Sequence, residues 1–389
     1  MRKIITGQFS DAIPPIMDGV GRVAQNYFLY LNASYGDSYL IGPHVPHFED
    51  DKNSIIRYKS MGIPFFSPYR IGFPLLGEFR GDLESINFDI IHSHSPFTAG
   101  KEALRIARKK HIPIVTTFHS KYKDDFLRAL KSQKISEKLI AHIIHYYEEV
   151  DAVWVPNEPT KETLRSYGFK GNIEIARNGT EMKPLDAATM STLRKRGRNT
   201  HSYSEDEIIL LYVGQLRKEK NLLLLLDSIT VLVKEKIPLK AIFVGSGPDE
   251  EELQRIVKKR GLSEYVSFPG LIRDREVLKS YYAMSDIFMF PSLYDNQSVS
   301  MKEAAACSIP SICVKGASTA QEIEDGVNGF LIENSSSSFT DKVTYLFSHH
   351  DEIKRAGQRA QKTIYESYET IVDEVYERYI KIIDMKKNQ

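Results

Sequence analysis

Cysteine is nearly absent: of 389 residues only Cys307 and Cys313 are thiols, six apart in an apolar stretch. That excludes a disulfide framework and a thiolate metal centre, and points to a reducing, cytoplasmic setting. No uncharged apolar run approaches the ~18 residues of a membrane-spanning helix, and Met1 to Gln8 has too short an apolar run for a secretion signal. A dominant charge is missing too. The 52 basic and 51 acidic side chains give a net charge of +1, so no global field draws the chain to nucleic acid. Any attraction to an anionic membrane must be local.

Several catalytic signatures are also missing. There is no Asp-x-Asp to chelate a metal on a diphosphate and no Gly-x-Ser-x-Gly elbow. His92-x-His94 is followed by no cysteine or carboxylate at ligand spacing, which disfavours zinc. Val244-Gly245-Ser246-Gly247-Pro248 begins like a dinucleotide fingerprint, but the third glycine is absent and Val266–Phe268 ends in no acidic residue, which disfavours hydride transfer.

What is present is an ordinary globular composition, 42% hydrophobic and 26% charged, in a chain long enough for two domains at ~100 to 200 residues each. Apolar runs of strand length alternate with longer segments of helical period, the pattern of parallel sheets covered on both faces. The alternation occurs twice. In the first half Asp89–His94, Ile112–His119 and Ala152–Val155 read as strands, with a basic helix from about Gly100 to Lys110. In the second, Ile208–Gly214, Lys240–Gly245, Val266–Phe268, Ile287–Phe290 and Pro310–Val314 read as strands, separated by helices such as Leu222–Lys236 and Glu250–Arg260. Leu193–Ser204 is polar and basic and reads as the interdomain connection. The expected fold is α/β, with two Rossmann-like, doubly wound parallel-sheet domains over residues 1–190 and 205–364. Facing each other across a cleft, they would place chemistry just after their strands.

The stretch from Phe290 to Cys307 is the most informative. A strand ends, a polar turn follows, and a helix opens at about Ser298. Its N-terminal N–H groups, around Asn296, Gln297, Ser298 and Val299, suit a diphosphate. Asp295 and Glu303 can border one pocket and accept hydrogen bonds from sugar or ribose hydroxyls, while Ser300-x-x-Glu303 equally fits a capping box and Asn296 or Ser298 a plain cap. Gly214, Gln215, Arg217 and Lys220 follow another strand, where the cations can neutralise the same diphosphate or line an exposed basic turn. Gly245 and Gly247 let a ligand approach the backbone. Gly19-Val20-Gly21 opens a helix after a polar loop, either to touch a ligand or as a simple turn. His119 ends a strand, as an orienting hydrogen bonder or as a buried structural histidine.

Taken together these stations resemble the retaining glycosyltransferases of family 4, group 1 type, with the two-domain GT-B fold. The resemblance runs from about Gly19 to Phe330, and its most specific element is the family's Glu-x7-Glu stretch, here Asp295-x7-Glu303. Asp18–Gly21, Thr117–His119, Arg177–Glu181, Gly214–Lys220, Val244–Pro248 and Glu322–Phe330 follow in the family's order. It implies a nucleotide-sugar donor of UDP-glucose type on the second domain and a glycan or lipid acceptor on the first. Lys220, with backbone groups of Gln297 to Val299, would hold the diphosphate, and Glu303 the ribose. Asp295 would face the transferred sugar, His119 would hydrogen-bond it near its anomeric carbon, and Gly19–Gly21 would close beneath diphosphate and acceptor. No metal cofactor is called for, since helix terminus and Lys220 can stabilise the leaving diphosphate. The last helix, within 365–389, would return to the first domain, where composition alone allows a free tail.

The chain departs from the family pattern at Gln215, where the family has Arg, and at Asp295, where it has Glu. Lys121 to Lys134 mixes bases with aromatic and aliphatic residues as an interfacial helix does, similar to bacterial diacylglycerol glucosyltransferases; a solvated face reads equally well. Two other classes stay open. A GT-B sugar-nucleotide hydrolase or epimerase needs an acid and a base astride the sugar, and a non-catalytic module would bind nucleotide sugar without turnover.

Overall fold

The structure, a computed structural model, describes residues 2–16, 18–50, 52–63, 69–74, 77–293, 295 and 298–388. The chain divides into two compact units, Met1–Asn178 with Tyr368–Gln389, and Gly179–Ser367. The boundary thus lies before the expected 190–205. Most of Leu193–Ser204, read as the connection, belongs to a helix of the second unit, Ala187–Thr200. Lys195 and Arg196 are exposed, but Arg194 and Arg198 turn inward. Arg198, 1% exposed, reaches Asp286 at 2.7 Å and donates to the carbonyls of Ser204, Glu207 and Met284, and Arg194 meets the other Asp286 oxygen at 2.5 Å. A buried guanidinium is tolerated when its donors are matched in this way.

The strands of the first unit are β1 (Thr6–Phe9), β2 (Ser38–Pro43), β3 (Ile55–Tyr58), β4 (Ser60–Gly62), β5 (Arg70–Gly72), β6 (Ile90–Ser93), β7 (Ile114–Thr117), β8 (Ala152–Val155) and β9 (Glu174–Ile175). β4 and β5 form an antiparallel hairpin; the others form one parallel sheet in the order β3-β2-β1-β6-β7-β8-β9. The second unit contains β10 (Ile208–Val213), β11 (Leu239–Val244), β12 (Val266–Gly270), β13 (Ile287–Phe290), β14 (Ser311–Val314) and β15 (Gly329–Ile332), all parallel in the order β12-β11-β10-β13-β14-β15. Strand order reverses between β1 and β6 and between β10 and β13. The crevice beyond the carboxyl ends at such a reversal is where open α/β sheets bind ligands.

β10 shows why these elements form. Ile208, Leu210 and Tyr212 pack on helices Leu222–Lys234 and Ser336–Phe347, while Ile209 and Leu211 pack on helices Arg275–Met284 and Val299–Ala306. A strand covered on both faces must be apolar throughout, and each fully buried aliphatic side chain contributes about 1.5–3 kcal/mol. The loop at its carboxyl end is therefore firmly based.

The final helix, Tyr368–Lys387, belongs to the first unit. Tyr368, Ile371, Val375 and Tyr379 pack with Val23, Tyr27 and Leu31 of the helix Gly19–Ser34 and with Trp154. Lys121 to Lys134 is not one helix but two, Tyr122–Leu130 and Gln133–Glu148, broken where Lys131 adopts φ 49°. No helix among the described residues is long and apolar enough to cross a membrane. Cys307 and Cys313 are buried free thiols, and burial pushes Cys307 up to about 12.

Candidate functional site

In the second unit the loops after the neighbouring strands β10 and β13 hold the expected cations and carboxylates. Tyr212 Oη donates to Gln215 O at 3.0 Å, while Leu216 N–H donates to Ser246 O at 3.0 Å and Leu216 O accepts from Asp249 N at 3.1 Å. This packing requires glycine beside it. At Gly245, φ +135°, a Cβ would stand 1.9 Å from Gly214 O, and at Gly247 it would stand 2.3 Å from Leu216 O. The close backbone approach that the sequence assigned to a ligand is made here by the protein's own loop.

Asn221, in the left-handed region at φ 59°, ends the turn Lys218–Lys220 and donates to Pro291 O at 3.3 Å and Asn334 Oδ1 at 2.9 Å. That ties the loop after β10 to the one after β13. Lys220 Nζ consequently lies 2.5 Å from Asp295 Oδ1, the two side chains being 15% and 18% exposed. Asp295 Oδ2 is buried and has no hydrogen-bond partner among the described residues. Gln215 is exposed and brings no charge, and Arg217 faces Glu219 at 3.4 Å.

Ser298 is the cap of helix Val299–Ala306, its Oγ accepting from Met301 N at 3.3 Å. The N–H groups of Val299 and Ser300 in that first turn have no intrahelical acceptor, which makes this end suited to an anion. Asn296 and Gln297 lie outside the described residues. The capping-box alternative for Glu303 is not what forms. Glu303 is 4% exposed and turns inward, accepting from Arg275 Nη2 at 2.5 Å on Oε1 and from Tyr282 Oη at 2.8 Å on Oε2. Burial, then the Glu303 charge, pushes the Tyr282 hydroxyl far up, so it stays a donor. Arg275 Nε also lies 2.8 Å from Glu181 Oε1. An ionised carboxylate offers about four acceptor directions, so Glu303 can hold Arg275 and Tyr282 and still accept from a vicinal diol. In the sequence Glu181 stands in a motif and Asn221 closes the basic turn after the strand, whereas Arg275 and Tyr282 carry no signal.

In the first unit Asp18 Oδ1 accepts from Gly21 N at 2.7 Å and caps the helix Gly19–Ser34. A Cβ at Gly21 would stand 2.4 Å from Ala12 O, whereas Gly19 faces open space. Gly21 is thus fixed by its own loop, and Gly19, exposed beside half-buried Val20, is the glycine with room for a ligand. His119 follows β7, with Nε2 3.3 Å from His94 Nδ1 and the two rings stacked. Burial pushes its imidazole down to about 3, so it is neutral. Asp11, which the sequence did not single out, accepts from Tyr58 Oη at 2.9 Å, Ala99 N at 3.0 Å and Ser95 Oγ at 2.6 Å, joining the loop after β1 to the start of the helix Thr98–Lys110.

Residues 17–183 match the sequence model of Glycosyltransferase Family 4, and residues 194–363 that of Glycosyl transferases group 1. The alpha-monoglucosyldiacylglycerol synthase of Acholeplasma laidlawii is 26% identical over 342 residues, 85% of each chain. Sucrose-phosphate synthase from Thermosynechococcus elongatus matches with a TM-score of 0.78 at 16% identity, over 99% of this chain and 100% of that one. HepE of Anabaena in complex with UDP and glucose matches with a TM-score of 0.71 at 16% identity, over 97% and 99%. At such identities the likeness to solved structures speaks for the fold. The two sequence models, one on each parallel sheet, take in the glycine loop, His119, Lys220, Asp295 and Glu303. The chain belongs to the family 4 glycosyltransferases, group 1 type, of GT-B fold, and is an enzyme that takes its sugar from a nucleotide-sugar donor.

Proposed function

We propose that the chain transfers a hexose from a UDP-glucose-type donor, with retention of configuration and without a metal, to a lipid or glycan acceptor at the cytoplasmic face of a membrane. The observation behind this reading is the Lys220–Asp295 pair at the ends of adjacent strands, with the first turn of helix Val299–Ala306 following Asp295 in the chain. A departing diphosphate develops negative charge. Lys220 and the first-turn N–H groups supply fixed positive charge for it, the kind of term worth about 10²–10³ in turnover. In a same-face path the diphosphate itself takes the acceptor proton, so the protein's task is mainly this stabilisation. Glu303 receives the ribose beside Arg275 and Tyr282, and Asp295 Oδ2 faces the sugar; for His119 the family resemblance implies a hydrogen bond to that sugar.

The Acholeplasma relative is named for a glucosyl diacylglycerol, and the Anabaena structure holds UDP and glucose; both support glucose as the sugar, and the first supports a lipid acceptor. Leu130 and Ile135, 43% and 50% exposed, stand among Lys123, Lys131 and Lys134, a mixture that fits an anionic surface. The test is diphosphate release in EDTA from UDP-glucose, UDP-N-acetylglucosamine, UDP-galactose and GDP-mannose, with and without a bacterial lipid extract. Release from UDP-glucose that rises with lipid is expected. Release from another donor, dependence on added metal, or indifference to lipid would each overturn the corresponding part.

A further inference from the structure

Five polar side chains of the first unit lie behind His119 in a continuous hydrogen-bonded chain. His119 Nε2 is 3.3 Å from His94 Nδ1, His94 Nε2 is 3.0 Å from Gln8 Oε1, and Gln8 Nε2 donates to Tyr379 Oη at 3.5 Å. Tyr379 Oη is 2.6 Å from His92 Nδ1, and His92 Nε2 is 2.7 Å from Thr117 Oγ1. Gln8, His92, His94 and Tyr379 are fully buried. Aromatic rings hold them from the sides: His92 stacks on His94 at 4.3 Å, Tyr27 packs edge-on to His94, and Trp154 stacks on Tyr379.

We propose that Gln8 and His94, backed by Tyr379, His92 and Thr117, are positioning residues that hold His119 in one tautomer, with the proton on Nε2 and a lone pair on Nδ1. The direction follows from the one group in the chain that cannot donate. The Gln8 amide oxygen has only lone pairs, so His94 Nε2 bears the hydrogen between them. A neutral imidazole has a single N–H, so His94 Nδ1 is an acceptor and His119 Nε2 is the donor to it. His119 Nδ1 is then an acceptor, suited to a sugar hydroxyl that donates. On the other arm the Gln8 amide N–H donates to Tyr379 Oη, Tyr379 O–H donates to His92 Nδ1, and His92 Nε2–H donates to Thr117 Oγ1. Burial, followed by neighbouring imidazoles, pushes His92 and His94 well below the ordinary range, so all three rings remain neutral.

The role in turnover rests on the proposed contact between His119 and the sugar; the tautomer does not. Ring nitrogen-15 NMR of the full chain labelled in histidine, with the His119 signals identified by their loss in His119→Asn, reads the tautomer directly. Wild type is expected to show His119 with Nε2 protonated and Nδ1 bare. Gln8→Leu removes the acceptor facing His94 and is expected to mix the two tautomers, lowering kcat roughly 10- to 100-fold, the scale of a small misplacement, with KM for the donor little changed. Gln8→Glu keeps an oxygen opposite His94 Nε2 and is expected to retain the wild-type His119 pattern and most of kcat. A wild-type His119 protonated on Nδ1, an unchanged pattern in Gln8→Leu, or a changed pattern with unchanged kcat would each overturn the proposal. The expected NMR patterns in a protein that turns over no donor would support the tautomer lock and sink the transferase reading instead.

Discussion

Lys220 and Asp295, 75 residues apart in the chain, meet at 2.5 Å where two neighbouring strands end. The cation that the diphosphate would use is already balanced by the carboxylate that would face the sugar. Donor binding must therefore share or displace this pair, and substitution of its two members has different consequences. Lys220→Ala is expected to lower kcat about 100-fold while the unfolding transition stays in place. Asp295→Asn is expected to tighten UDP about threefold to fivefold, by freeing Lys220 from a partly exposed ion pair, yet to lower turnover. Calorimetric titration with UDP alongside initial rates checks both; weaker UDP binding by Asp295→Asn would show that the pair does not compete with the diphosphate.

Gly245 is held at φ +135° with its missing Cβ directed at Gly214 O. Gly245→Ala is expected to destabilise the chain by about 1–3 kcal/mol, the scale of such backbone strain, and to weaken donor binding by shifting the Lys220 loop. Thermal unfolding measures the first effect. An unshifted midpoint would mean that the loops part at little cost.

Arg275 supplies one of the two donors that satisfy buried Glu303. Arg275→Met leaves that carboxylate a partner short and is expected to cost about 2 kcal/mol, and also to weaken binding of uridine relative to the bare diphosphate. Denaturant unfolding gives the stability, and competition by uridine against pyrophosphate gives the selectivity; equal weakening of both ligands would detach Arg275 from the ribose side.

His92 and His94 are buried neutral, with pKa values well below the ordinary 6.5. Between the depressed folded value and the unfolded one, the unfolded chain binds more protons, so stability rises with pH in that window. Each ring is expected to remove about 1.4 kcal/mol per pH unit as the pH falls below about 6.5, and nothing above it. Unfolding curves from pH 8 to pH 5 should therefore be flat and then fall, with a shallower fall in His92→Gln. Equal slopes in the two proteins would mean that His92 takes up its proton without unfolding.

Much of the sheet was legible because double-faced burial leaves apolar runs: the expected strands at Ile208, Lys240, Ile287 and Pro310 fall within a residue or two of β10, β11, β13 and β14. β1 was not. Thr6-Gly7-Gln8-Phe9 is polar for a central strand, and Gln8 is buried there only because His94 and Tyr379, 86 and 371 residues away, satisfy its amide. Arg194 and Arg198 misled in the same way, since bases that look solvated in one dimension are matched by Asp286 in three. In the site, residue type and order pointed to Lys220, Asp295 and Glu303, but not to the partners that orient them. Arg275 and Tyr282 come from another element, 21 to 28 residues before Glu303, and nothing local in the chain marks them; Asn221 follows Lys220 directly, but its partners Pro291 and Asn334 are distant.

The most direct measurement follows UDP-glucose and a diacylglycerol-containing lipid mixture by proton NMR in EDTA, with the protein as the only catalyst. An α-linked glucosyl lipid appearing together with UDP is the expected result. A β-linked product would contradict retention, free glucose would contradict transfer, and an unchanged spectrum that springs to life on adding a divalent cation would contradict a diphosphate stabilised by Lys220 and the helix end alone.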